Sequence, residues 1–221
     1  MPRSRTIPCF VLAACAAAAS CGPPRVDMRE GARNFEPADY QRVFETWTRD
    51  LSIIPVDGIE NVLTVRVTYL GYEFRWGYVV KVAQDLRMSP AERQDLQDRE
   101  FTALARGHEF FVSSMSAFKG VDNLAPDDGP WRVRLVDDRG RAVAPVSVEE
   151  VKHPETSAFQ YFAFDLVHRT PYRIVFPRAF PDGEPVIGPA TRFFTLAFSS
   201  PLGQGEVRWD SAAPASPAPT R

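Results

Sequence analysis

The sequence has little of what most site chemistry is built from. Its three cysteines, Cys9, Cys15 and Cys21, all lie in the first 21 of 221 residues. From Gly22 onward there is no thiol, so the body holds no disulfide, no cysteine nucleophile and no cysteine-ligated zinc. Histidine is almost as scarce: His108, His153 and His168 fall on separate predicted elements, without the spacing of a metal trio. His108-Glu109 lacks the second histidine of a zincin helix. There is no G-x-S-x-G elbow and no glycine-rich phosphate loop. A basic excess is missing too. The formal net charge is −2, which argues against a nucleic-acid partner. No cofactor is called for.

What is present begins with an address. Arg3 and Arg5 are the only charges before Arg25, and residues 7–19 are uncharged and mostly apolar. That is a basic region followed by an apolar one, the pattern of a bacterial secretory signal. Thirteen residues make a helix of about 20 Å, short of the roughly 30 Å hydrocarbon core of a bilayer.

Two stretches in this segment, Leu12-Ala13-Ala14-Cys15 and Ala18-Ala19-Ser20-Cys21, resemble the lipobox of bacterial lipoproteins. The resemblance covers residues 1–21 alone. It implies acylation of a cysteine sulfur, cleavage just before that residue, and attachment to a membrane through two or three acyl chains. Cys15 has Leu12 three positions before it, the stricter pattern. Cys21 is preferred, because Gly22-Pro23-Pro24-Arg25 follows it as a polar tether and the apolar region before it is longer. Removing residues 1–20 takes two arginines and no acid, leaving a mature charge of −4. Gly22 stands where some lipoproteins carry the aspartate that retains them at the inner membrane, so the resemblance leans to the periplasmic face of the outer membrane. The alternative is a plain secretory signal and a soluble periplasmic protein.

Residues 21–35 read as a flexible tether, 36–210 as one folded domain, and 211–221 as a disordered tail without a large apolar residue. Tyr40, Val43, Phe44 and Trp47 line one helix face after Pro37. Residues 62–70 alternate as a half-buried strand, Leu63, Val65, Val67 and Tyr69 on one face. From 73 to 87 alternation and a helical face compete, and the helix formers at 83–87 tip the reading to helix. Ser89-Pro90-Ala91-Glu92 is a capping box that starts a helix running to about Ala105. Its apolar stripe is narrow: Leu96, Ala103 and Leu104, with Phe101 at the edge. Strands are expected at 109–117, 131–137, 141–150, 159–167, 171–177, 191–199 and 205–209, with a hairpin turn at Asp137–Gly140. The fold expected is mainly β (α+β): an antiparallel β-sandwich, immunoglobulin-like in its closing strands, with an N-terminal helix and a helical hairpin inserted at about 73–105.

Arg132, Arg134, Arg139 and Arg141 cluster on one predicted hairpin and form the candidate ligand or partner surface. Cross-strand pairing with Asp137, Asp138, Glu149 and Glu150 is the plainer reading. The loop Val121–Gly129 carries three acids and an amide, which suits a turn better than a calcium site. Ser113, Ser114 and Ser116 lack a sequence-coupled base and are expected to face solvent or mark a loose edge. Tyr161, Trp131 and Trp209 are candidates for stacking on a sugar, though each also fits a core pattern.

Three functions follow as expectations. The first is a non-enzymatic, lipid-anchored envelope protein that docks a protein partner. The second is a glycan- or peptide-binding module. The third is a hydrolase with a site assembled from distant strands.

Overall fold

A computed structural model describes residues 22–55, 58, 60–152, 160–162 and 168–212. The expected signal peptide with Cys15 and Cys21, the tail from 213 onward and His153 lie outside these residues.

A short 3-10 turn at Pro37–Asp39 leads into α1 (Tyr40–Trp47), which buries Tyr40, Val43, Phe44 and Trp47, the face its spacing predicts. The chain passes without a break into β1 (Thr48–Ile53), then β2 (Leu63–Tyr69), α2 (Tyr72–Asp85) and α3 (Pro90–Arg106). The capping box of α3 is formed: Glu92 N donates to Ser89 Oγ at 3.3 Å and Ser89 N to Glu92 Oε2 at 2.7 Å. There follow β3 (His108–Met115), β4 (Arg132–Val136), β5 (Ala142–Val143), β6 (Ser147–Glu150), β7 (Thr170–Phe176), β8 (Phe193–Ser200) and β9 (Gly203–Asp210).

All pairings between these strands are antiparallel. One sheet has the order β1-β2-β3-β7-β6 and the other β5-β4-β8-β9. The protein is thus a β-rich α+β sandwich. Aromatic side chains seal the space between the sheets: Tyr69 and Phe110 of the first meet Phe194 and Trp209 of the second, with ring centroids 4.8–6.4 Å apart. The helices cover the other face of the five-stranded sheet. Phe111 stacks on Phe162 at 4.4 Å, and Phe162 meets Phe74 of α2. Tyr72 and Trp76 of α2 hold Phe101 of α3.

β3 is therefore covered on both faces, and seven of its eight residues are buried. Phe110, Val112 and Ser114 face the second sheet, while Glu109, Phe111 and Ser113 face the helices. This placement corrects the expectation that the serines lie at solvent or on a loose edge. Ser113 and Ser114 are 1% and 0% exposed, and Ser114 Oγ lies 2.7 Å from Asp122 O and 3.2 Å from Thr170 O.

Three more expectations change. The strand expected at 141–150 is two strands in different sheets, because Pro145 has no N–H to extend a ladder and the chain crosses from one sheet to the other there. The strand expected at 159–167 is helical at residues 160–162, and the rest lies outside the described residues. Its aromatics serve the helix layer: Tyr40 Oη donates to Tyr161 O at 2.5 Å, and Tyr161 Oη donates to Asp85 at 3.0 Å. The segment read as a tether is docked from Pro24 onward. Val26 is 0% exposed and bridges Ser211 in parallel, its N–H donating to Asp210 O and its carbonyl accepting from Ala212 N, both at 2.8 Å. Arg49 Nη2 donates to Pro24 O at 2.9 Å, and Trp76 Nε1 to Arg33 O at 2.6 Å.

Candidate functional site

The four candidate arginines do not form one group. β5 leaves β4 after only two residue pairs, and the arginines divide with it.

Arg139 and Arg141 sit at the β4–β5 turn. Gly140 there has φ +80°, a left-handed conformation that a side chain would strain. The Asp137 carboxylate organises the turn, accepting from Arg139 N at 3.0 Å, Arg141 N at 2.8 Å and Arg141 Nε at 2.9 Å. Arg141 also lies over the Phe180 ring at 4.0 Å and reaches Asp182 at 3.3 Å. Arg139 pairs with Glu184 at 3.3 Å. Asp138 takes the backbone N–H and the guanidinium of Arg192, which hold its carboxyl below the usual range. These groups border a cleft of about 300 Å³. Its charges are largely neutralised by one another, so it offers an anion little.

Arg132 and Arg134 differ. Both are exposed on the outer face of the four-stranded sheet, alternating with buried Val133 and Leu135. Neither has an ion pair among the described residues, and Glu149 and Glu150 do not reach them. Beside them, where residues 144–148 swing to the other sheet, a cleft of about 160 Å³ opens over Leu124, Pro126, Trp131, Val133 and Val148.

A third, smaller space of about 60 Å³ lies under the docked N-terminal segment, lined by Asp27, Glu30, Tyr69, His108 and Arg178 among others. His108 is 2% exposed. Its Nδ1 shares a 2.9 Å hydrogen bond with Tyr69 Oη, and its buried Nε2 has no well-aligned hydrogen bond among the described residues. Burial, helped by the Arg178 charge, pushes its pKa down to about 3.

The other candidates are structural. In the Val121–Gly129 loop Asp122 Oδ2 accepts from Thr170 Oγ1 at 2.9 Å, Asn123 Oδ1 accepts from Ala125 N at 2.9 Å, and Trp131 Nε1 donates to Val121 O at 2.6 Å. Among the described residues no three acids, histidines or cysteines are grouped to hold a metal. Trp131, Tyr161 and Trp209 are 1%, 2% and 0% exposed, so none is free to stack on a sugar. The residues that sequence reasoning missed are Asp182 and Glu184, which lie over 40 positions from the arginines they pair with. No local signal marks them.

Compared with known proteins, the chain matches no family model, no curated protein and no solved structure.

Proposed function

We propose that the chain is a membrane-anchored envelope lipoprotein of non-enzymatic type, which presents its β-sandwich to a protein partner. What supports this reading most is where the N-terminal segment joins the body. Val26 bridges Ser211 in parallel and Arg49 joins the carbonyls of Pro24 and Arg208, so the residues leading to Val26 run alongside β9, along one edge of the sandwich. Five residues from Cys21 to Val26 reach about 17 Å at most, and eleven from Cys15 about 37 Å. An acyl group on Cys21 would hold that edge within reach of the headgroups.

Apolar side chains are exposed at the end where β8 turns into β9. Ile54 follows β1, Phe118 follows β3, and Leu202 forms the β8–β9 turn; they are 57%, 45% and 40% exposed. The β1 and β3 ends stand about 10 Å apart, the width of two strand spacings. The β8–β9 turn abuts them, since a Cβ on Gly203 would come within 2.8 Å of Ile53. Apolar groups gathered at this tip suit a protein surface.

Mass spectrometry of the native protein is expected to find acyl mass on Cys21, and Cys21→Ser to release the protein from membranes. A photo-crosslinker at Phe118 is expected to capture a protein that one at Gln94, on the exposed side of α3, does not. A water-soluble, unacylated native product would defeat the anchor, and equal capture from both positions the tip.

A further inference from the structure

We infer that the cleft beside β4 takes an extended peptide segment, added as a strand, whose side chains alternate acidic, apolar, acidic. The inference deepens the docking half of the reading above and is independent of acylation.

Three observations carry it. The first is an unpaired edge. β5 pairs with Leu135 and Val136 alone, and among the described residues no backbone hydrogen bond joins Arg132, Val133 or Arg134 to the chain on that side. Such an edge offers backbone donors and acceptors to another strand. The second is charge. Arg132 and Arg134 line the cleft, no acid does, and neither arginine has an ion pair among the described residues. The third is an apolar floor, made by Val133 with Leu124, Pro126 and Val148, and bordered by Val146 at 66% exposure.

The alternation of a strand turns these into a pattern. A segment paired at about 4.8 Å along β4 puts every second side chain on the face of Arg132 and Arg134. Carboxylates there meet guanidinium forks. The residue between them points to the floor, where an apolar group is removed from water. Arg132 pairs with Ser199, close to the β8–β9 turn, so the cleft opens toward the tip already argued to meet a partner.

The test uses the full-length protein in detergent and three labelled pentapeptides: alternating glutamate and valine, alternating lysine and valine, and the acidic one with its central amide N-methylated. Saturable binding of the acidic peptide alone is expected, with hydrogen-exchange protection gained at residues 132–134. The double variant Arg132→Gln, Arg134→Gln is expected to weaken binding about tenfold or more, at an unchanged melting temperature. Four outcomes would each overturn the inference: no saturation by about 1 mM, equal binding of the lysine peptide, unchanged affinity of the double variant, or protection confined to β6 or the tip. Crosslinking at Phe118 without peptide binding would leave the docking reading standing and remove the cleft from it.

Discussion

Arg75→Met is expected to destabilise the protein by about 3–5 kcal/mol, lowering its melting temperature by on the order of 10 °C. Arg75 sits on α2 and is 1% exposed. Its guanidinium donates to Leu70 O at 2.8 Å, to Glu109 Oε2 at 2.5 Å and to Glu100 of α3. Glu109 lies on the helix-facing side of β3, 4% exposed, and also accepts from Arg173 of β7. One buried cation thus ties the helical hairpin to the middle of the five-stranded sheet. Methionine fills much of the arginine's volume, so the loss isolates the charge. It leaves the Glu109 carboxyl group under the helices with, among the described residues, only the half-exposed Arg173 to answer it. The companion variant separates this from a packing defect. Removing both charges, Arg75→Met with Glu109→Leu, is expected to recover most of the loss, because an apolar pair of similar volume often replaces a buried ion pair without cost. Urea denaturation of the three proteins provides the measurement. A loss below about 1 kcal/mol in the single variant, or none recovered in the double, would mean that the ion pair is not what holds the hairpin.

That network also shows where sequence reading stops. Local signals were legible: the i, i+3, i+4, i+7 aromatics of α1, the capping box of α3 and the alternation of β2 all sit where their patterns put them. β1 was not legible. Thr48-Arg49-Asp50-Leu51-Ser52-Ile53 is an edge strand with only Ile53 buried, and its charges answer to pairing with Arg66 rather than to a buried face. Residues 159–167 failed the other way. Their aromatics alternate, but Tyr161 and Phe162 serve the joint between α1, α2 and β3, which is a tertiary demand. The arginine cluster was legible as a group of charges and illegible as two sites. Pro145 sends the chain across the sandwich, and beside the local Asp137 the acids that answer Arg139 and Arg141 come from a distant loop. The docked segment at Val26 was hidden by composition, since proline, glycine and charge around it describe a tether, while one valine at a sheet end decides the contact.

The largest pH effect is expected from His108. In the unfolded chain it titrates near 6.5, and in the folded protein burial holds its pKa at about 3. The unfolded state therefore binds the proton first as pH falls. Stability from this group is complete above about 6.5 and is lost progressively down toward 3, at about 1.4 kcal/mol per pH unit. The groups around the ring explain why the proton is refused. Burial strips the ring of water and the Arg178 guanidinium adds a like charge, and together they outweigh a backbone contact with Arg178 that favours the proton. From pH 6.5 to about 5 the native protein should lose about 2 kcal/mol through this residue. That window lies above the range in which the depressed carboxyls of Asp27 and Asp138 take up protons, while burial raises the Glu73 carboxyl toward it with the opposite sign, so a variant is needed to assign the slope to the histidine. His108→Asn keeps a polar group in reach of Tyr69 Oη and cannot be protonated. It is expected to be less stable at neutral pH, because it fills less of the cavity under the N-terminal segment, yet its denaturation midpoint should scarcely move between pH 6.5 and 5. Amide exchange at Asp27 and Met28, which line that cavity, should quicken on acidification in the native protein and not in the variant. An equal slope with pH in both proteins would show that the proton enters elsewhere.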